Sequence, residues 1–277
     1  MDFILMLKAA ILGVVEGLTE FLPISSTGHL IITRSILNLE GAFWQSFDMA
    51  IQVGAIIAVV WEFRERIAQI VSGLFSMERA AWRFVINVLI ACVPAVAFAL
   101  LFEKQIKGLL FNAVSVAIAL VVGGLIILWA ERRQERKEPR VHSLADLTYL
   151  DALKVGVAQI AAIVPGTSRS GSTIIGGMLF GLSRKAATEF SFFLAIPILF
   201  GASVFELNDL RGQMNLQNIT LFVIGFVFSF ISAFICVRWL LRFVSHNNFK
   251  GFAWYRIAFG LFILLSWSMG WLNWSHA

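Results

Sequence analysis

Residues 9–37 read AAILGVVEGLTEFLPISSTGHLIITRSIL, an apolar stretch broken at its middle by Pro23-Ile24-Ser25-Ser26-Thr27-Gly28. Neither half has the roughly 20 residues a helix needs to cross a hydrocarbon core of about 30 Å. Non-helical backbone at membrane depth is tolerated only where protein buries it or where it lines a wet cavity, so a re-entrant helix–loop–helix hairpin is expected here. Residues 152–182 follow the same design, with the break at Pro165-Gly166-Thr167-Ser168-Arg169-Ser170-Gly171.

The surrounding chain agrees with a lipid environment. Of 277 residues, 59% are hydrophobic and 14% charged, against about a quarter charged in a soluble domain. The mean hydropathy is +0.83. Nearly uncharged runs at Phe47–Trp61, Phe84–Phe102, Val114–Ala130, Phe190–Phe205, Ile219–Trp239 and Phe252–Trp267 predict six spanning helices. The fold class expected is therefore an all-α polytopic membrane protein, six transmembrane helices plus two re-entrant hairpins. Met1 to Val15 carries an acidic Asp2 in place of a basic region and no clear small-residue cleavage site, so it does not read as a signal peptide. Cys92 and Cys236 fall inside apolar runs, where a thiol behaves as a small hydrophobe. The pI near 9.6 comes from basic residues in short loops between spans. Topology explains these residues better than nucleic acid does, and no nucleic-acid partner is expected.

A shift of 143 positions carries Gly13 onto Gly156, Val14 onto Val157, Glu16 onto Gln159, Ser25 onto Ser168, Thr27 onto Ser170, Gly28 onto Gly171, and Ile31-Ile32 onto Ile174-Ile175. Three spans follow each hairpin. This predicts two repeats in a single membrane domain, one over about residues 1–131 and the other over about 150–277. A hairpin returns to the side it entered from, so three further crossings leave the second hairpin entering from the opposite face, and the repeats are expected to be inverted. Loop charge agrees. Arg64, Arg66, Arg79 and Arg83 follow span one; Arg132, Arg133, Arg136, Lys137 and Arg140 follow span three; Arg238, Arg242 and Lys250 follow span five. The alternate loops hold Lys104 and Lys107, then Arg211. The first hairpin and both termini are accordingly expected outside, with the second hairpin entering from the cytoplasm. Inverted repeats with broken helices commonly build a site where they meet near the midplane.

The breaks carry the chemistry. Glu16 and Glu20 are four apart on a helix and share a face. Carboxylates inside a membrane are functional candidates by default. A hard divalent cation such as Mg²⁺ or Ca²⁺, which takes oxygen ligands, would offset their repulsion. Otherwise they would snorkel to water. Beyond them, Ser25, Ser26, Thr27 and Gly28 open a second helix whose unpaired N–H groups and hydroxyls suit phosphate. His29 is the one histidine of four inside an apolar stretch, beside hydroxyls and carboxylates. It therefore reads as a general acid/base or as the partner of a Ser26 nucleophile rather than as a structural histidine. In the second break, small residues allow close backbone approach, and Arg169 offers a planar fork to phosphate oxygens unless an ion pair with Glu16, Glu20 or Glu189 occupies it. Together these residues imply phosphate handling inside the membrane, with transfer resting on positioning and electrostatics.

At these residues the chain resembles the bacterial undecaprenyl-diphosphate phosphatase family, also known as bacitracin-resistance proteins. Glu16-Gly-Leu-Thr-Glu20 looks like that family's E/QxxxE motif, Ser25 to His29 its SSTGH segment, and Pro165 to Thr173 its PGxSRSxxT motif. Order, spacing and length agree over essentially the whole chain, including Glu189-Phe190-Ser191-Phe192 before a span. The resemblance implies hydrolysis of a C55 isoprenyl diphosphate to the monophosphate carrier and inorganic phosphate, with recycling of the lipid carrier of cell-wall synthesis. It also implies divalent-metal dependence, a bacterial plasma-membrane location and a site reached from the outer side. Glu16, Glu20, Ser26, His29 and Arg169 match positions regarded as catalytic or substrate-binding. Ser25, Thr27, Ser168, Ser170 and Thr173 fall within the phosphate-binding motifs. Ser26 is the preferred nucleophile, with His29 as the alternative.

The competing expectation is a lipid or ion transporter or flippase, since broken helices in inverted repeats are characteristic of transporters. Against it, Glu20 aligns with Ile163 and Ser26 with Arg169, so the two halves bring different chemistry. A homo-oligomer is compatible with the chain. The charge-dense segment from Glu131 to Tyr149 is expected to be a solvated connector.

Overall fold

The computed structural model describes residues 2–210 and 216–271. Arg211, His276 and the C-terminus, which entered the sequence reading, lie outside them. The described residues form helices α1 (Phe3–Thr19), α2 (Ser26–Ile36), α3 (Ala42–Glu62), α4 (Arg64–Phe75), α5 (Arg79–Leu110), α6 (Ala113–Arg136), α7 (Tyr149–Gln159), α8 (Arg169–Leu179), α9 (Arg184–Leu210), α10 (Leu216–His246) and α11 (Lys250–Ser268), with 3₁₀ turns at Leu144–Asp146 and Ile160–Ile163. Among the described residues there is no strand beyond one isolated bridge, Val141 to Leu182.

Six of these helices, α3, α5, α6, α9, α10 and α11, are long and apolar enough to cross a membrane. They coincide with the six runs read from sequence. Pro94 and Pro197 sit inside α5 and α9, as spanning helices allow because neighbours re-satisfy the freed backbone groups.

Four of the five short helices, α1, α2, α7 and α8, make up the two broken stretches. α1 starts at Asp2, whose side chain accepts from the Ile4 N–H at 2.9 Å. It stops before Pro23, since proline has no N–H and restricts the residue before it. α7 starts in a reciprocal capping box, Thr148 with Asp151. Burial alone would push the Asp151 carboxyl up, but hydrogen bonds from Arg140 and Thr148 outweigh it and hold the carboxyl below its ordinary range.

Packing of the short helices depends on glycine. A Cβ on Gly13 of α1 would fall 2.3 Å from the carbonyl oxygen of Gly225 in α10, and one on Gly156 of α7 would fall 2.5 Å from that of Ala91 in α5. Both helices therefore lie backbone against backbone on a spanning neighbour. The main buried cluster lies around α8 and α9 and includes Phe21, Ile174, Met178, Phe190 and Phe192.

The connector after α6 is more ordered than its composition suggests. Glu131 is fully buried, accepting from Arg184 and from the Phe249 N–H at 2.7 Å. Arg140 and Val141 donate their N–H groups to Gly181. The carboxylate of Glu131 thus ties α6 to α9 and to the turn before α11.

Candidate active site

Each break bends at a serine. Ser25 and Ser168 cap α2 and α8 with φ of 72° and 76°, left-handed values that are uncommon for a residue with a Cβ and that concentrate at functional sites. The first N–H groups of each helix have no intrahelical partner; that of Gly171 is met by the Ser168 side chain. The next residue, the first of each helix, is Ser26 in α2 and Arg169 in α8.

These two meet at Glu20. The Ser26 hydroxyl donates to Glu20 Oε2 at 2.6 Å, and Arg169 Nη2 donates to Glu20 Oε1 at 3.2 Å. Arg169 is fixed further by Nη1, which donates to the Ser191 carbonyl at 3.0 Å and to its hydroxyl at 3.3 Å, and its guanidinium lies 5.7 Å from the centre of the Phe21 ring. The Ser191 hydroxyl is 2.6 Å from that of Thr173. Ser170 Oγ donates to the Leu22 carbonyl at 2.8 Å and lies 3.0 Å from Ser168 Oγ, which accepts from the Gly171 N–H. One hydrogen-bonded network therefore joins Glu20, Ser26, Ser168, Arg169, Ser170 and Thr173 across the two breaks. Ser191 and Phe21 are added to it; Ser191 entered the sequence reading only within the Glu189-Phe190-Ser191-Phe192 run before a span, and Phe21 was passed over as an apolar residue in an apolar stretch.

Glu16 lies one turn before Glu20 on α1. It is 1% exposed, and among the described residues neither carboxylate oxygen has a hydrogen-bond partner of ordinary geometry, with Gln52 and Asp48 as further polar neighbours. A buried carboxylate left so is costly and calls for a partner. Hard oxygen ligands of this kind suit Mg²⁺ or Ca²⁺. Among the described residues no group of three His, Cys, Asp or Glu has metal-binding placement, so the protein's share of a cation shell would be these two carboxylates. Mg²⁺ is commonly held in this way, with substrate phosphate and water completing the shell. Glu189, weighed as a partner for Arg169, instead faces Lys185.

His29 is half-buried and does not bond to Ser26. Its Nδ1 is 2.7 Å from the Ser25 carbonyl oxygen and its Nε2 is 2.6 Å from the Tyr255 hydroxyl. Thr27 makes no side-chain hydrogen bond among the described residues.

Arg256 on α11 is 1% exposed and has no carboxylate partner among the described residues. Its Nε donates to Leu120 O, Nη1 to Pro23 O and Thr167 O, and Nη2 to Ala119 O and Gly166 O. All five N–H donors of the guanidinium are thus spent on carbonyls from α6 and from both breaks. Gly123 makes the room, since a Cβ there would come within 2.2 Å of Arg256 Nη2. The signal was available: an arginine inside an otherwise apolar span is a functional candidate.

The family model described as "Bacitracin resistance protein BacA" matches residues 9–262. "Undecaprenyl-diphosphatase 1" of Burkholderia lata is 63% identical over 277 residues, covering 99% of this chain and 100% of the relative. "Undecaprenyl-diphosphatase 1" of Burkholderia cenocepacia is 62% identical and "Undecaprenyl-diphosphatase" of Burkholderia mallei 60% identical, over the same shares.

Proposed function

Because this chain belongs to the bacitracin resistance protein BacA family, we propose that its two breaks form the site at which undecaprenyl diphosphate is hydrolysed to undecaprenyl phosphate and inorganic phosphate. The protein is a multi-pass membrane enzyme of the undecaprenyl-diphosphatase type, and cell-wall synthesis and bacitracin resistance are the roles that follow. The observation that carries the site is Glu20 standing between Ser26 and Arg169, one carboxylate oxygen to each.

In this reading Arg169, held by Ser191 and Glu20, clamps oxygens of the terminal phosphate, joined by Thr27 and the remaining N-terminal N–H groups of α2 and α8, while Ser168 and Ser170, bonded to each other and to Leu22, hold the second break in shape. Ser26 Oγ attacks the terminal phosphorus while its proton passes to Glu20 Oε2, already 2.6 Å away. The bond from that phosphorus to the bridging oxygen breaks, and the lipid leaves as its monophosphate. Water then attacks the phosphoserine, releasing inorganic phosphate and returning the hydroxyl to Ser26. His29, bonded to Ser25 and Tyr255 rather than to Ser26, takes the proton of the incoming water at Nε2, exchanging the Tyr255 hydroxyl for that water at this step. A divalent cation held by Glu16 and Glu20 would neutralise charge building on the diphosphate oxygens. Phosphoryl transfer needs little beyond such positioning and electrostatics.

The Lys and Arg bias of the loops supports inverted repeats and an outward opening at the first hairpin. Positions 143 apart share the left-handed serine, the close-approach glycine and the first helical residue. The same correspondence keeps a transporter in view, so the test separates the two. Detergent-purified protein is given a long-chain isoprenyl diphosphate with and without chelator, beside Ser26→Ala and Arg169→Ala. Metal-dependent phosphate release that both substitutions remove is expected. Release that survives Ser26→Ala would move the nucleophile to His29, and no release from folded protein in native-like lipid would favour transport.

A further inference from the structure

The His29 ring is held from a part of the chain far from either break. The Ser25 carbonyl oxygen can only accept, so Nδ1, 2.7 Å from it, carries a proton. The neutral ring then presents Nε2 as an acceptor, and the Tyr255 hydroxyl, 2.6 Å away, donates to it. The Tyr255 and His29 rings are within 7° of parallel with centroids 5.6 Å apart, and Phe259, one turn on, stacks against the imidazole at 4.2 Å. Tyr255 has little freedom to drift, because its neighbour Arg256 is bonded to Pro23, Gly166 and Thr167 of both breaks and to α6. The device that sets α11 against the loops therefore also sets the phenol against the imidazole.

We propose that Tyr255 is a positioning residue of the phosphatase site, holding His29 through Nε2 and so fixing its ring plane and the nitrogen that bears the proton. This rests on the reading of the site given above. The ionisable groups that α11 turns towards this ring are Tyr255 and Arg256, while α6 meets the same part of α2 with the apolar Val116 and Leu120 around Gly28. Among the described residues no carboxylate bonds to His29, so the phenol is the group that specifies the Nε2 side.

Tyr255→Phe keeps the stacked ring and deletes the hydroxyl. Its kcat is expected to fall about tenfold, the scale of one well-placed hydrogen bond, with KM within about twofold of wild type. Placed in a His29→Ala background, the same substitution is expected to add no further loss, since its partner is already gone. A structural role would make the two losses multiply. Independently of turnover, the Nε2 resonance of ¹⁵N-histidine-labelled protein, identified by its disappearance in His29→Ala, is expected to shift in Tyr255→Phe. Wild-type kcat in Tyr255→Phe, multiplying losses, or an unmoved resonance would each overturn the proposal. A wild-type protein that releases no phosphate would overturn the reading of the site, while the resonance still reports on the Tyr255 contact.

Discussion

At the residue scale, Glu20 does two jobs that a single substitution can separate. Glu20→Gln keeps the shape but loses the proton acceptor, so turnover is expected to fall about 100- to 10,000-fold. It also strands Arg169, buried, without its counter-charge, at a cost of about 3–5 kcal/mol. Thermal unfolding should therefore show a loss that a second change, Arg169→Gln, partly restores, while phosphate release stays absent from the double variant. Glu16 is different, because among the described residues no cation forms an ion pair with it as Arg169 does with Glu20. Glu16→Gln is expected to leave the unfolding temperature unchanged or raised, and to raise the Mg²⁺ concentration for half-maximal activity roughly tenfold or more; an unchanged metal requirement would remove Glu16 from the cation site. Charge made Glu16, Glu20 and Arg169 legible in the sequence, since a charged residue in apolar surroundings needs a reason. Arg256 met the same criterion and was absorbed into a spanning run, because hydropathy averages a single arginine away. What it does could not be read in any case: backbone carbonyls from three separate segments have no side-chain signature.

At the element scale, the broken stretches work because their helices lie directly on spanning neighbours. Gly156 faces the backbone of α5, and a Cβ there cannot be relieved by turning a side chain. Gly156→Ala is expected to cost about 1–3 kcal/mol and to lower activity through displacement of α7 and the break that follows it. Gly201 in α9 has nothing within 4 Å of its Cβ position, so Gly201→Ala should be neutral within about 1 kcal/mol. Thermal unfolding of the two variants in one detergent compares them directly; equal effects would mean that close approach is not what Gly156 provides. The six spans were legible because length and hydropathy suffice for them. α4 was not, because Arg64 and Arg66 marked its start as a loop while Ile67, Ile70, Val71 and Leu74 repeat at helical spacing behind them. The order of the connector was equally hidden, since Glu131 reads as one more loop charge until Arg184 and the Phe249 N–H are brought to it.

At the scale of the whole molecule, the two halves embrace. α1 packs on α10 and α7 on α5, each broken pair against the middle span of the other half, while α3 packs on α9 and α6 on α11, each against its own counterpart. An exchange of this kind is what a two-fold relation between halves produces. With three spans between the pairs, the two-fold axis would lie in the membrane plane and the pairs would enter from opposite faces. Single cysteines test this in intact cells with a membrane-impermeant thiol reagent, because the natural Cys92 and Cys236 lie inside spans. Asp2→Cys and Glu40→Cys flank the first broken pair, and His142→Cys and Lys185→Cys flank the second, all at exposed positions. The first two are expected to react from outside and the last two only after the cells are opened. Asp2 and Glu40 reacting from opposite sides would mean that α1 and α2 together cross the membrane, and all four reacting alike would make the halves parallel. Either result would leave the Ser26, Glu20 and Arg169 contacts as they are, but would remove the argument that the diphosphate reaches them from the outer face.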